Sequence, residues 1–160
     1  VAAKPATRPA AKPANELLPS SESVALNASF EVNRGKLPWP LDKGYLLMKF
    51  GSNKLPSGSD LVITSITISS DVGSSVKAVF DGTVVMAQTI EDMQVVTIQH
   101  GLYYTSYSNL TGVVVKKDQV VKTGQVIGKV APNMDGVGAI DFYVSKGTAE
   151  QDPARWLSPR

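Results

Sequence analysis

The chain has 160 residues, of which 42% are hydrophobic, and a formal net charge of +2 at pH 7. This length suits one domain with its own core, and no apolar run approaches the about 20 residues that a membrane-spanning helix requires. Lys4, Arg8 and Lys12 supply more than the whole net charge, so the rest of the chain lacks the basic surface expected of a nucleic-acid-binding protein. The absence of cysteine excludes disulfide bonds and thiolate metal ligands.

The N-terminal segment, residues 1–15, repeats an Ala/Lys/Pro pattern and contains almost nothing to bury, which is typical of a semi-extended linker. The sequence begins at Val1 without a methionine and without a signal segment. We therefore expect a piece of a longer protein whose targeting information lies upstream.

Residues 16–40 are expected to form an N-terminal arm that leads into the domain. Val24, Leu26 and Phe30 are spaced so that a short helix with one apolar face can form. Pro38 and Pro40 then end any helix, because a residue that precedes proline is restricted to extended conformations. The domain itself is expected to occupy residues 41–160.

Short segments rich in Val, Ile, Thr and Tyr follow one another from residue 41, separated by Gly, Asp, Asn and Pro. This pattern is typical of β-strands and turns. Because no amphipathic helix lies among them, the segments predict an all-β, mainly antiparallel sandwich or barrel. Alternation within VITSITI predicts one strand with two faces, which carry Val62, Thr64, Ile66 and Ile68 on one side and Ile63, Ser65 and Thr67 on the other.

Five segments resemble, in the right order, the LytM-type, lysostaphin-like zinc peptidase domain. They are NRGKLPWPLDKGYLLMKFG, DVGSSVKAVFDGTVVMA, VVTIQHGLYYTSYSNL, VKKDQVVKTGQVIGKV and AIDFYVSKGTAEQDPARWL. The likeness runs from residue 33 to residue 157, and NRGKLPWP is similar to the start of the EnvC-like branch. It implies a LytM-type β-sandwich, or barrel-sandwich hybrid, with a short N-terminal helix or extended arm.

The residues that match the family's zinc site are not zinc ligands. The family binds one zinc ion through a His-x-x-x-Asp motif and the last histidine of His-x-His, and a water takes the open coordination position. The resemblance places the first motif on Ile63 and Thr67 and the second on Ala139 and Asp141. It places a further catalytic histidine on Asn109, which cannot shuttle a proton at neutral pH. We expect no metal, no cofactor and no peptidase activity.

Three other large side chains are expected to be structural. His100, the single histidine, matches a family histidine that is not a zinc ligand, so we expect it to be hydrogen-bonded inside the fold. Trp39 and Trp156 flank the β region and are expected to pack the two ends of the domain onto the sheet.

The resemblance implies a non-enzymatic protein that keeps the groove of its family. EnvC-type and NlpD-type domains bind and activate periplasmic N-acetylmuramoyl-L-alanine amidases, which split peptidoglycan at cell division. We therefore expect a periplasmic chain whose partner is such an amidase and whose parent protein can carry an upstream coiled coil. A peptidoglycan-binding module and a structural tethered domain of a cell-envelope protein are the alternatives. The expected contact groove consists of Ile63, Ser65, Thr67, Asn109, Asp141, Tyr143, Tyr107 and Lys54.

Overall fold

The computed structural model of the chain describes residues 21–159. The predicted linker, residues 1–15, lies outside this range. The described part begins with a helix, α1 (Ser21–Val32), and ends with a single 3-10 turn, η1 (Pro153–Arg155). Between them lie the strands β1 (Tyr45–Met48), β2 (Gly51–Lys54), β3 (Asp60–Ile63), β4 (Ile66–Ser69), β5 (Ser75–Lys77), β6 (Gly82–Ile90), β7 (Met93–His100), β8 (Tyr103–Thr111), β9 (Val120–Val121), β10 (Val126–Val130), β11 (Ala139–Lys146) and β12 (Ala149–Gln151).

One large sheet dominates the domain, with the strand order β1-β4-β11-β8-β7-β6-β9. The short strands β5 and β10 pair with each other, β10 also pairs with β8, and β12 pairs with β11. β2 and β3 form a separate hairpin, and all these strand pairs are antiparallel. The predicted all-β, LytM-type fold with a short N-terminal helix is thus confirmed. No helix within residues 21–159 is long and apolar enough to cross a membrane.

The prediction that VITSITI forms one alternating strand was wrong. β3 ends at Ile63, the chain bends at Thr64 and Ser65, and β4 begins at Ile66. Val62 is 70% exposed on the hairpin, whereas Ile66 is fully buried in the large sheet. The two halves have different partners, because β3 pairs with β2 while β4 pairs with β1 and β11. Partners this distant in sequence are not visible in a local alternation pattern.

The inner face of the central strands forms the core. Val96 of β7, Tyr107 of β8, Phe142 of β11 and Ile66 of β4 lie side by side across four strands, and all four are fully buried. Since successive side chains of a strand point to opposite faces, their neighbours are placed on the outer face. The core row therefore fixes which residues the sheet presents outward.

Helix α1 is attached to the sheet by an aromatic cluster around Phe30. The Phe30 ring lies 4.9 Å from the His100 ring in a stacked arrangement, 4.9 Å from Tyr103 and 4.8 Å from Trp156, measured between centroids. The Asn27 side chain accepts a hydrogen bond from the Leu102 backbone N–H at 3.0 Å. These contacts hold the C-terminal half of the helix, while Val24 nearer its start is 54% exposed.

The two tryptophans differ in burial. Trp156 is 2% exposed in the aromatic cluster, as expected for a residue that packs the chain's end onto the sheet. Trp39 is partly buried against the core, and its indole N–H donates to the carbonyl of Ser158 at 2.7 Å. Trp39 therefore joins the start of the domain to its end by a hydrogen bond as well as by packing.

His100 takes part in a directional chain of hydrogen bonds inside the core. Its Nδ1 lies 2.6 Å from the carbonyl of Asp81, and because a carbonyl only accepts, Nδ1 carries the proton. Its Nε2 then accepts from the Thr105 hydroxyl at 2.9 Å. That hydroxyl in turn accepts from the Tyr107 hydroxyl, which accepts from the backbone N–H of Val79. Burial is the main influence on the imidazole, and it lowers the pKa of His100 from 6.5 to about 4.

We expect Phe30→Ala to lower the free energy of unfolding by about 3–5 kcal/mol, because it removes the centre of the aromatic cluster. Val32→Ala, on the same helix but 70% exposed, should change it by less than about 0.5 kcal/mol. Urea titration followed by far-UV circular dichroism measures both. Equal effects of the two substitutions would show that α1 does not depend on this contact.

We expect stability to fall as the pH is lowered from about 6.5 to about 4, by about 3 kcal/mol in total. In this window the unfolded chain protonates His100 while the folded chain keeps it neutral, so acid favours unfolding. Urea midpoints measured across this range provide the check, with His100→Gln as the control that cannot titrate. Parallel slopes in the two proteins would assign the acid sensitivity to other groups.

Candidate functional site

The outer face of the large sheet carries two rows of side chains that continue from strand to strand. Cross-strand pairing aligns β7 with β8, β8 with β11, and β11 with β4. One row consists of Thr97, Ser106 and Tyr143, and the next consists of Val95, Ser108, Asp141 and Thr67. This face is opposite to the core row. Its side chains are partly exposed except for Val95 and Ser108, which are buried.

Two depressions lie side by side on this face. The first has a volume of about 400 Å³ and is lined by Thr67, Met93, Asn109, Pro132, Asn133, Met134, Ala139 and Asp141. The second has a volume of about 450 Å³, and its walls include Thr64, Met86, Met93, Val95, Thr97, Ser106, Ser108, Tyr143 and Glu150. Because Met93 lines both, the depressions form one continuous surface, which we call the groove.

Two of the residues at the family's zinc-ligand positions meet in the groove. The Thr67 hydroxyl donates a hydrogen bond of 2.6 Å to a carboxylate oxygen of Asp141. The remaining position, Ile63, ends β3 and lines neither depression. A neutral hydroxyl, an aliphatic chain and one carboxylate do not fit the family's zinc ion. Within residues 21–159, no group of three His, Cys, Asp or Glu side chains is placed to hold a metal.

Asn109, which the resemblance places at a catalytic histidine of the family, holds a loop. Its side-chain amide donates to the carbonyl of Ala139 at 2.7 Å and to that of Ala131 at 3.1 Å. Its backbone φ is 65°, a left-handed conformation that asparagine adopts more readily than most residues. The amide therefore fastens the end of β8 to the loop that carries Met134, and it does so without a titratable group.

Two predicted contact residues are not on the surface. Ser65 is 5% exposed at the bend between β3 and β4, and Tyr107 is fully buried in the core row. Burial and its low dielectric raise the pKa of Tyr107 to about 12, so its hydroxyl stays protonated within the internal chain of hydrogen bonds. A partner cannot reach these side chains, and the expected contact surface is corrected accordingly.

The other predicted residues are divided between two places. Thr67, Asn109 and Asp141 line the first depression, and Tyr143 lines the second. Lys54 lies on the β2–β3 hairpin instead, where its ammonium group is 3.2 Å from the Asp60 carboxylate. Both of these side chains are mostly exposed, so the pair contributes little to stability.

The sequence predictions missed the apolar lining of the groove. Met93 follows the β6–β7 turn, and Met134 lies in the polar loop between β10 and β11. Met134 is completely exposed. A large apolar side chain within a turn segment of Asn, Asp and Gly is the signal that could have found it, since turns otherwise favour polar residues.

The charge of the groove is acidic. Its lining residues include the carboxylates of Asp141 and Glu150 and contain no lysine or arginine. Glu91 and Asp92 are exposed directly before Met93, and Asp135 is exposed directly after Met134. The groove thus combines apolar methionine side chains with hydroxyl groups of the sheet, and it carries negative charge at its borders.

Similar folds occur among solved structures. Helicobacter pylori Csd3 superposes with a TM-score of 0.66 at 21% identity, over 78% of this chain and 35% of that one. The SpoIIQ chain of the SpoIIQ–SpoIIIAH pore-forming complex gives a TM-score of 0.67 at 21% identity, covering 78% and 92%. A zinc-containing peptidase from Vibrio cholerae gives 0.65 at 24% identity, covering 79% and 41%. The present chain thus spans about a third of the Csd3 structure.

The sequence comparison agrees with this fold. No curated protein matches the chain in sequence. The profile of peptidase family M23 matches residues 62–153, which is more than half of the chain and includes β4, β8 and β11 with the groove residues Thr67, Asn109 and Asp141. The chain therefore belongs to peptidase family M23.

Proposed function

We propose that the chain is a non-enzymatic member of peptidase family M23 that binds and activates a periplasmic N-acetylmuramoyl-L-alanine amidase in peptidoglycan remodelling and cell division. The observation that carries the proposal is the contrast within the groove. The positions that the resemblance assigns to zinc ligands hold Ile63, Thr67 and Asp141, yet the outer face of the sheet forms a groove that three methionines line. A groove whose described residues hold no set of zinc ligands is suited to binding a partner rather than to metal catalysis.

The lining favours a protein partner. Met86, Met93 and Met134 are unbranched and polarizable, so they adapt to the apolar face of a helix in the way that methionine-rich surfaces do. The groove is open at the protein surface, and Tyr143 adds an aromatic ring with a polar end. We infer that an amphipathic helix of the amidase lies along it.

Activation follows if the bound helix belongs to an amidase state with an open active site. The chain then shifts the amidase toward that state by as much as its affinities for the open and closed states differ. A shift from 1% to 99% open requires a difference of about 5.5 kcal/mol. A helix buried along the groove can provide a difference in affinity of this size if, in the closed amidase, the same helix packs on the amidase itself and cannot enter the groove.

The structural neighbours support a role in assembly. The SpoIIQ chain with a similar fold was solved in complex with SpoIIIAH, so a domain of this architecture can act through protein contacts. At 21% identity, this likeness shows a shared fold.

Peptidoglycan itself is the second candidate ligand. The hydroxyl groups of Thr97, Ser106 and Tyr143 lie in one row on the groove, and such groups can hydrogen-bond a glycan or a stem peptide. Thr97 and Ser106 already bond each other at 2.9 Å, which leaves fewer free donors for a sugar. Co-sedimentation with purified sacculi in the absence of any amidase tests this alternative.

We expect dye release from labelled peptidoglycan only when the chain and an amidase of the same organism are mixed. The chain alone should release nothing with or without added zinc, because its groove residues do not fit the metal. The amidase alone should show a low basal rate. Release by the chain alone, abolished by a chelator, would contradict the proposal.

We expect Met134→Asp and Tyr143→Ala each to reduce amidase stimulation about tenfold or more, because they add charge or remove packing in the groove. Val120→Asp serves as the matched control. Val120 is 64% exposed on β9 and lines neither depression, so stimulation should be retained. Circular dichroism of each variant verifies the fold. Full stimulation by both groove variants would place the amidase contact elsewhere on the chain.

A further inference from the structure

The methionines of this chain are distributed in an unusual way. The chain has four of them, and none belongs to the buried core, although methionine is commonly a core residue. Met86 and Met93 line the second depression of the groove, and Met93 and Met134 line the first. Met48 of β1 pairs in register with Thr67, which lines the groove as well. Every methionine thus lies in or next to one surface.

This arrangement exposes thioether sulfur to solvent. The Met134 side chain is completely exposed at 104% of its reference area. Met93, shared by both depressions, is partly exposed, and so is Met86. Small oxidants reach sulfur atoms in such positions without unfolding the protein, whereas buried methionines are protected.

The lining of the groove also determines the polarity and charge of the helix that it can bind. The apolar lining requires an apolar helix face, and the acidic borders at Glu91, Asp92, Asp135 and Glu150 favour basic residues beside that face. A second copy of the chain would bring the same carboxylates together and is disfavoured. This step rests on the proposed function, in which the occupant is a helix of the amidase.

We propose that Met93 and Met134 are an oxidation site that controls partner binding. Each thioether sulfur gives an electron pair to the near oxygen of hydrogen peroxide, the O–O bond breaks, and water leaves. Methionine is oxidised to the sulfoxide and the peroxide is reduced. The reaction converts a flexible apolar side chain into a polar one whose new oxygen needs a hydrogen-bond partner. An apolar helix face offers none, so the oxidised groove binds the amidase more weakly.

The test measures binding before and after oxidation of the whole chain. The chain alone is treated with hydrogen peroxide, the peroxide is removed, and sulfoxides are located by peptide mass spectrometry. Titration calorimetry then gives the Kd for the untreated amidase. We expect Met134 to oxidise first, and the Kd to rise about tenfold or more once Met93 and Met134 are both oxidised. Methionine sulfoxide reductases should restore the original Kd.

The matched control is the double variant Met93→Leu with Met134→Leu, which keeps apolar side chains but cannot form sulfoxides at these positions. Each protein is compared with its own untreated sample, so any change in its basal affinity cancels. The ratio of the two Kd values should be about ten or more for the natural chain and clearly smaller for the variant, which can form a sulfoxide in the groove only at Met86. The thermal midpoint of the oxidised chain should be unchanged, because no core side chain has reacted.

The outcomes separate this inference from the proposed function. If the untreated chain does not bind the amidase, the proposed function is wrong, and so is the proposal that oxidation regulates binding. If the untreated chain binds and the fully oxidised chain binds equally well, only the proposal that oxidation regulates binding is overturned. An equal loss of affinity in the natural chain and the double variant would likewise overturn it, since the loss would come from other residues.

Discussion

The register of β11 between β4 and β8 is the constraint on which the rest of the structure depends. Phe142 lies between Ile66 and Tyr107 on the core face, and Asp141 lies between Thr67 and Ser108 on the outer face. A slip by one residue would exchange the two faces, burying Asp141 and exposing Phe142 to water. The buried row therefore holds the outer face in place.

This division separates the residues that hold the fold from those that the resemblance assigns to zinc-ligand positions. Thr67 and Asp141 lie on the outer face of the sheet, where the Thr67 hydroxyl donates one hydrogen bond to the Asp141 carboxylate. The side-chain amide of Asn109 donates hydrogen bonds that join β8 to the loop before β11.

The strand content was predictable because it depends on local composition, whereas the pairing was not. Turn residues and β-branched segments mark most strands between residues 41 and 146, and the helix around Phe30 follows from its apolar spacing. The break at Thr64 and Ser65 was missed because β3 and β4 have partners far away in sequence. Tyr107 was wrongly predicted to be on the surface for a similar reason. Which side chains of β8 point into the core depends on the pairing of Tyr107 with Val96 and Phe142 on the neighbouring strands. The methionine lining of the groove could not be predicted from the sequence, because residues 86, 93 and 134 come together only in the folded sheet.

Strand β7 connects the groove to the buried chain of hydrogen bonds around His100. It begins at Met93 in the groove and ends at His100 in the buried hydrogen-bond chain. At about 3.3 Å per residue, these ends are separated by about 23 Å. Protonation of the single histidine thus weakens the fold at the end that α1 covers, and it does not change the charge of the groove. A histidine at position 109 would let acid change the charge of the groove, whereas the amide of Asn109 does not titrate.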